Sequence, residues 1–157
     1  MELLFHVLTT ILIAVVSATF SAWITVRLSR EKFRSEHWWE KKFEAYERVI
    51  DAFHSSKKFY SEHLRASYLD FDLDDGRVEE LKNQSLKARD EILRTSDIGG
   101  FILSASALSI LAKYEAESEN MPRQDSWQEH LDLSWSIANR YMKEFIAEAH
   151  SDLKKNK

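Results

Sequence analysis

The stretch that decides the reading is LLFHVLTTILIAVVSATFSAWITV, residues 3–26. It holds no Asp, Glu, Lys or Arg. As a helix it would be ~36 Å long, enough to cross a ~30 Å hydrocarbon layer with some tilt. A cleaved signal peptide is the rival reading, since Val16, Ser17 and Ala18 offer small residues for cleavage. However, Met1 and Glu2 bring no positive charge before the apolar run, and a basic cluster follows it instead. The expectation is an uncleaved transmembrane anchor over residues 1–27.

The flanking charges set the expected orientation. Arg27, Arg30, Lys32 and Arg34 all follow the segment, and Lys and Arg close to a span stay on the cytoplasmic side. The N-terminus is therefore expected outside the bacterial inner membrane and residues 28–157 in the cytoplasm. Trp23 sits where an interfacial aromatic would mark the inner boundary, with those four basic residues as further anchors. Within the segment, Ala14, Ala18 and Ala22 recur every fourth position, and Ser17, Ser21 and Thr25 do so one step round. Lipid offers no hydrophobic reward for helix association, so close backbone approach and hydroxyl bonds drive it. This face predicts a homo-oligomer, whose hydroxyls would line a narrow polar path if it conducts. The opposing reading is that each hydroxyl bonds the carbonyl one turn back on its own helix.

The rest of the chain reads as helix. Three glycines and one proline in 157 residues cannot punctuate a many-stranded sheet. From Arg27 to Leu69 there is no Gly or Pro, so the first helix is expected to run to about residue 69. Trp39, Phe43, Tyr46, Ile50, Phe53, Tyr60 and Leu64 follow a heptad seam broken at Lys57. Further helices are expected over about 77–96, 104–119 and 125–154. Ser104 is placed to cap the third, and Asp125 or Ser126 the fourth, with Glu129 completing a capping box. Trp127, Leu131, Trp135, Ala138, Met142, Phe145 and Ala149 mark the apolar stripe of the last helix. The expected fold is all-α: a transmembrane helix continuing into a cytoplasmic four-helix bundle.

Composition narrows the chemistry. Without cysteine there is no disulfide framework and no thiolate metal site. Net charge is −4, and with four of the 22 basic residues packed into 27–34 the remainder is more acidic still. Such a domain is a poor binder of duplex nucleic acid, which needs clustered Lys and Arg. Asp70, Asp72 and Asp74 resemble the start of a calcium loop, but Asp75 occupies the glycine position and Leu81 the bidentate glutamate position. An acidic turn that caps the next helix is the expectation there. There is no Walker loop, dinucleotide fingerprint, nucleophile elbow or pair of Glu-x-x-His motifs. No enzyme, metal or cofactor is expected.

The stretch FRSEHWWEKKFEAY, residues 33–46, resembles the juxtamembrane signature of a family of small bacterial single-pass inner-membrane proteins of unsettled function. IGGFILS, residues 98–104, and the tryptophan-led last helix are similar to the same family. The architecture is also similar to that of membrane effectors of antiphage defence, including those gated by cyclic oligonucleotides in CRISPR signalling. The resemblance implies a bacterial inner-membrane protein; with the small-residue face, the unbroken first helix and the absence of catalytic motifs, the expectation is an oligomeric effector whose cytoplasmic bundle senses a small anionic ligand, such as a cyclic nucleotide, or a protein partner, and then perturbs the membrane. The alternative is a passive anchor that holds a soluble partner at the membrane.

Overall fold

The computed structural model describes the backbone of residues 2–155 and the side chains of residues 6, 20, 21, 23–27, 29 and 37–155. Among these, every regular element is helical. Helix α1 is Glu2–Tyr68, α2 Asp75–Ile98, α3 Ala105–Glu119 and α4 Trp127–Lys155, with a 3₁₀ turn at Gly99–Phe101 before α3. The chain divides into two compact units, Met1–Glu40 and Lys41–Lys157. The second is a helical bundle built from the end of α1 with α2, α3 and α4. Among the described residues no helix is long and apolar enough to cross a membrane. Most side chains of residues 3–26, on which the expected membrane segment falls, lie outside them.

Each helix end has a local cause. Helix α1 closes as Asp70 enters the left-handed region (φ 51°), while the Phe71 N–H reaches back to the Ala66 carbonyl at 3.2 Å. That is the long-range bond of a glycine-type helix close, with aspartate tolerated where glycine is usual. The Asp74 carboxylate then accepts the Gly76 N–H at 3.1 Å and caps α2. Arg77 grips both oxygens of Glu62, its Nε at 2.9 Å from Oε2, and ties α2 back to α1. Ser104 Oγ accepts the Ala107 N–H at 3.0 Å and caps α3. Ser126 Oγ accepts the Glu129 N–H at 3.1 Å. The return bond of that capping box goes to the Asp125 N–H at 3.3 Å, one residue earlier than the usual reciprocal pair.

The core corrects half of the expected α1 seam. Tyr46 and Phe53 are buried (1% and 0% exposed), as is Leu64, and Tyr60 is partly so. The partner column, however, is centred on Lys42, Val49 and Ser56, all buried, with Ile50 partly buried against the core and Phe43 left outside. Phe43 is 44% exposed. Ala45 and Ala52 complete this face. On α4, Trp127 is likewise exposed and Trp135 only half-buried, while Ser134, Ile137, Tyr141 and Asp152 join Leu131, Ala138, Phe145 and Ala149 inside. The core rings are in contact: Tyr46 with Phe145 (5.4 Å between centroids), Phe145 with Phe53 (6.2 Å), Phe53 with Tyr114 (4.9 Å) and Tyr114 with Tyr141 (5.8 Å).

Lys42 is inside because Asp152 is there to meet it. Lys42 Nζ lies 2.7 Å from Asp152 Oδ2, and the Tyr46 hydroxyl donates to the same oxygen at 2.6 Å. The Ser104 N–H donates to the Tyr46 hydroxyl oxygen at 3.5 Å, and Ser104 Oγ donates to Glu148 at 2.8 Å. This polar knot joins α1, the start of α3 and the end of α4. Burial alone pushes the Asp152 carboxyl up, but the bonds from Lys42 and Tyr46 together hold it below its ordinary value. Burial, with the bond to Asp152, pushes the Tyr46 hydroxyl up to about 12.

Two predictions follow from the packing. Removing one partner of a buried ion pair leaves the other uncompensated, so Asp152→Ala should cost about 3–5 kcal/mol in urea unfolding. The depressed Asp152 carboxyl contributes stability that is full above about pH 4 and lost as pH falls through its folded value. The raised Tyr46 hydroxyl contributes stability that is full below about pH 10 and lost as pH climbs toward about 12. Second, a Cβ on buried Gly99 would meet Leu108 Cδ2 at 3.1 Å and Thr95 Cγ2 at 3.3 Å, whereas on Gly100 the nearest atom is at 3.8 Å. Gly99→Ala should therefore destabilise by about 1–3 kcal/mol, and Gly100→Ala by less than about 0.5 kcal/mol, in the same assay.

Candidate functional site

Away from the knot, all four helices open onto one cleft of about 430 Å³ within the Lys41–Lys157 unit. Each helix contributes side chains one turn apart, which a helix places on one face. Helix α1 brings Ser56 and Tyr60, and α2 brings Ser85, Arg89 and Ile92. Helix α3 adds Tyr114, Glu115 and Ser118, and α4 adds His130 and Ser134. Leu86, Leu93 and Met121 supply apolar wall. The volume lies in the range that suits a small molecule, and the lining mixes apolar surface with a few polar groups, as ligand sites do.

The polar groups differ in how far they are already used. Ser134 Oγ donates to the His130 carbonyl at 2.7 Å, so it is committed within α4. The Tyr114 hydroxyl is pushed up to about 12, chiefly by burial and then by nearby Tyr60, with a bond from Ser118 opposing. Tyr60 is also raised by burial, with the Arg89 charge pulling the other way. Burial lifts the Glu115 carboxyl above its ordinary value, Ser96 opposes this with a hydrogen bond, and the negative charges of Asp97 and Glu119 add to the lift. Glu115 Oε1 is buried and has no hydrogen-bond partner among the described residues. Arg89 is exposed at the mouth. The neighbouring carboxylate, Glu91, is engaged by Arg48 and Arg94 instead. His130 stacks on Trp127, with centroids 5.3 Å apart and planes 21° from parallel.

The residues singled out from sequence fare unevenly. Ala14, Ser17, Ala18, Ala22, Arg30, Lys32 and Arg34 lie outside the described side chains. Thr25 Oγ1 donates to the Ser21 carbonyl at 2.8 Å, so this hydroxyl bonds back along its own helix. Trp23 is 57% exposed, packs against Phe20 at 6.4 Å and carries the Arg27 guanidinium over its ring at 5.5 Å. Asp70 and Asp74 are occupied in closing α1 and capping α2. Among the described residues no group of three or more His, Asp or Glu is arranged to hold a metal ion. The cleft was not foreseen from sequence. Tyr60, Ser85 and Tyr114 fall on the helical stripes and read as core, and only the polar residues recurring one turn apart on each helix hint at a shared opening.

An unpartnered buried acceptor destabilises the fold that contains it. Glu115→Gln should raise the urea midpoint at pH 7 by the equivalent of about 1 kcal/mol. A carboxyl raised in the fold favours the folded state more as it takes up a proton, so the gap to wild type should close as pH falls through the raised value.

No protein-family model, curated protein or solved structure matches the chain.

Proposed function

We propose that the protein is a single-pass inner-membrane effector: residues 3–26 anchor it with the N-terminus outside, and the bundle senses a ligand or partner in the cytoplasm. The observation that supports this reading is that one helix, Glu2–Tyr68, carries both the charge-free run and the core face of the bundle. The Arg27–Trp23 pair sits at the inner end of the run, and the basic residues after it set the orientation. In this reading copies associate through the face of Ala14, Ser17, Ala18, Ser21, Ala22 and Thr25. Occupancy of the bundle changes that association and perturbs the membrane, and a role in antiphage defence fits this design. The cleft supplies the bundle with a place for a small ligand.

A second reading, a passive anchor for a soluble partner, draws on one particular contact. The Thr25 hydroxyl is satisfied by its own helix, which removes one of the bonds that would drive association.

The full chain should stay in membranes after alkaline wash, with a C-terminal tag protected from protease in spheroplasts. Cells expressing it with its neighbouring genes should depolarise when triggered, and Ser21→Leu should abolish that. Exchanging residues 1–30 for an unrelated anchor decides between the readings. Loss of the phenotype supports the effector; full retention supports the scaffold. Release by alkaline wash would overturn both.

A further inference from the structure

The turn between α1 and α2 presents apolar and acidic side chains together. Tyr68, Leu69 and Phe71 are 66%, 61% and 45% exposed. They fall within four consecutive residues, too close to count as scattered surface, and exposed apolar patches mark contact sites. Asp70, Asp72, Asp74 and Asp75 are interleaved with them and equally exposed to solvent. Asp74 is occupied by the α2 cap, but among the described residues Asp70, Asp72 and Asp75 form no ion pair. Arg77, the next cation along the chain, is held by Glu62 and Glu80. From Arg65 to Asp75 there are four carboxylates against one guanidinium. The backbone beneath is fixed. The Leu69 N–H donates to the Arg65 carbonyl at 3.1 Å and the Phe71 N–H to that of Ala66 at 3.2 Å, with Asp70 between them in the left-handed region. A patch on an ordered turn loses little freedom when it is covered.

Charge decides what covers this patch. Clustered carboxylates are repelled by an anionic lipid surface and by nucleic acid, although the apolar side chains would suit a membrane. The same turn on a second copy brings the same charges and is repelled as well. A purely apolar partner covers Tyr68, Leu69 and Phe71 but strips water from carboxylates that it cannot pair. A surface with Lys or Arg around an apolar side chain answers both. We propose that the α1–α2 turn docks a protein partner through a segment in which basic residues flank an aromatic or large aliphatic one. The apolar residue lies against Leu69 and Phe71, and its basic neighbours pair with Asp72 and Asp75. Such ion pairs at the rim set the approach and the register, while the covered apolar side chains supply affinity. The proposal names the chemistry of the partner and rests on the function proposed above only for where the two meet.

The test is amide-resolved NMR of the full chain in uncharged detergent micelles. The probe is the tripeptide Lys-Trp-Lys, blocked at both ends and added to millimolar concentration. Beside it run Lys-Gly-Lys, which keeps the charge alone, and Gly-Trp-Gly, which keeps the ring alone. Lys-Trp-Lys should shift the amides of residues 68–75 saturably, with each control at least about fivefold weaker. Asp72→Asn and Phe71→Ser, both at exposed positions, should each weaken binding by about threefold or more and leave the spectrum of the bundle core unchanged. The Asp72 comparison stands alone should the Phe71 variant fold poorly. The idea is overturned if these amides do not move, if either control binds as well, or if a folded variant binds as the wild type does. It is also overturned if the same amides answer instead to added phosphatidylglycerol or to protein concentration, which would mark a lipid surface or a second copy. Alkaline extraction of membranes holding the full chain separates the two proposals. Membrane retention without peptide binding sinks only the docking surface, and peptide binding without retention sinks only the anchor.

Discussion

One carboxylate oxygen, Asp152 Oδ2, receives a lysine and a tyrosine from α1 at once. That double contact fixes the rotation of α1 against α4. With Lys42 drawn inward, Phe43 is carried to the surface, and Val49 and Ser56 follow Lys42 into the core one and two heptads on. The same tyrosine reaches the backbone of Ser104, so the start of α3 is tied to the same point. A buried ion pair does not guarantee stability, because both charges lose water on folding. Here the Tyr46 hydroxyl adds a bond to the same carboxylate and is itself bonded by the Ser104 backbone, and the pairing geometry specifies a single register.

The knot and the cleft stand at opposite ends of the bundle along α1. Lys42 and Tyr60 are eighteen positions apart, or ~27 Å along a helix. Between them runs the series of touching rings from Tyr46 through Phe145 and Phe53 to Tyr114, which begins in the knot and ends in the cleft wall. Close-packed aromatic rings leave little room for independent movement. The bundle thus has a tightly satisfied end and an end with open polar valences, joined by a stiff interior.

The helices were legible because their limits are set by local chemistry. Asp74, Ser104 and Ser126 sit two or three residues ahead of the N–H groups that they accept, and the absence of glycine and proline tells where no break falls. The rotation of α1 was not legible. On hydrophobicity alone Phe43 belongs inside and Lys42 outside, and the residue that reverses them, Asp152, sits more than a hundred positions away. The cleft was hidden for a related reason. Tyr60, Ser85 and Tyr114 obey the helical spacing of core residues, and only the meeting of four helices turns them into a lining. Glu115 looks like surface charge in the sequence, since nothing local marks the burial of one of its oxygens.

The stack of Trp127 on His130 has an optical consequence. An imidazole in face contact with an indole changes its fluorescence, and His130 is also part of the cleft wall. The exposed ring of Trp127 therefore serves as a built-in reporter at the rim. Its emission responds to any event that displaces His130, while Trp135 lies beneath the Lys57 ammonium, 5.3 Å away, in a different setting. The molecule carries its own spectroscopic label for the state of the cleft.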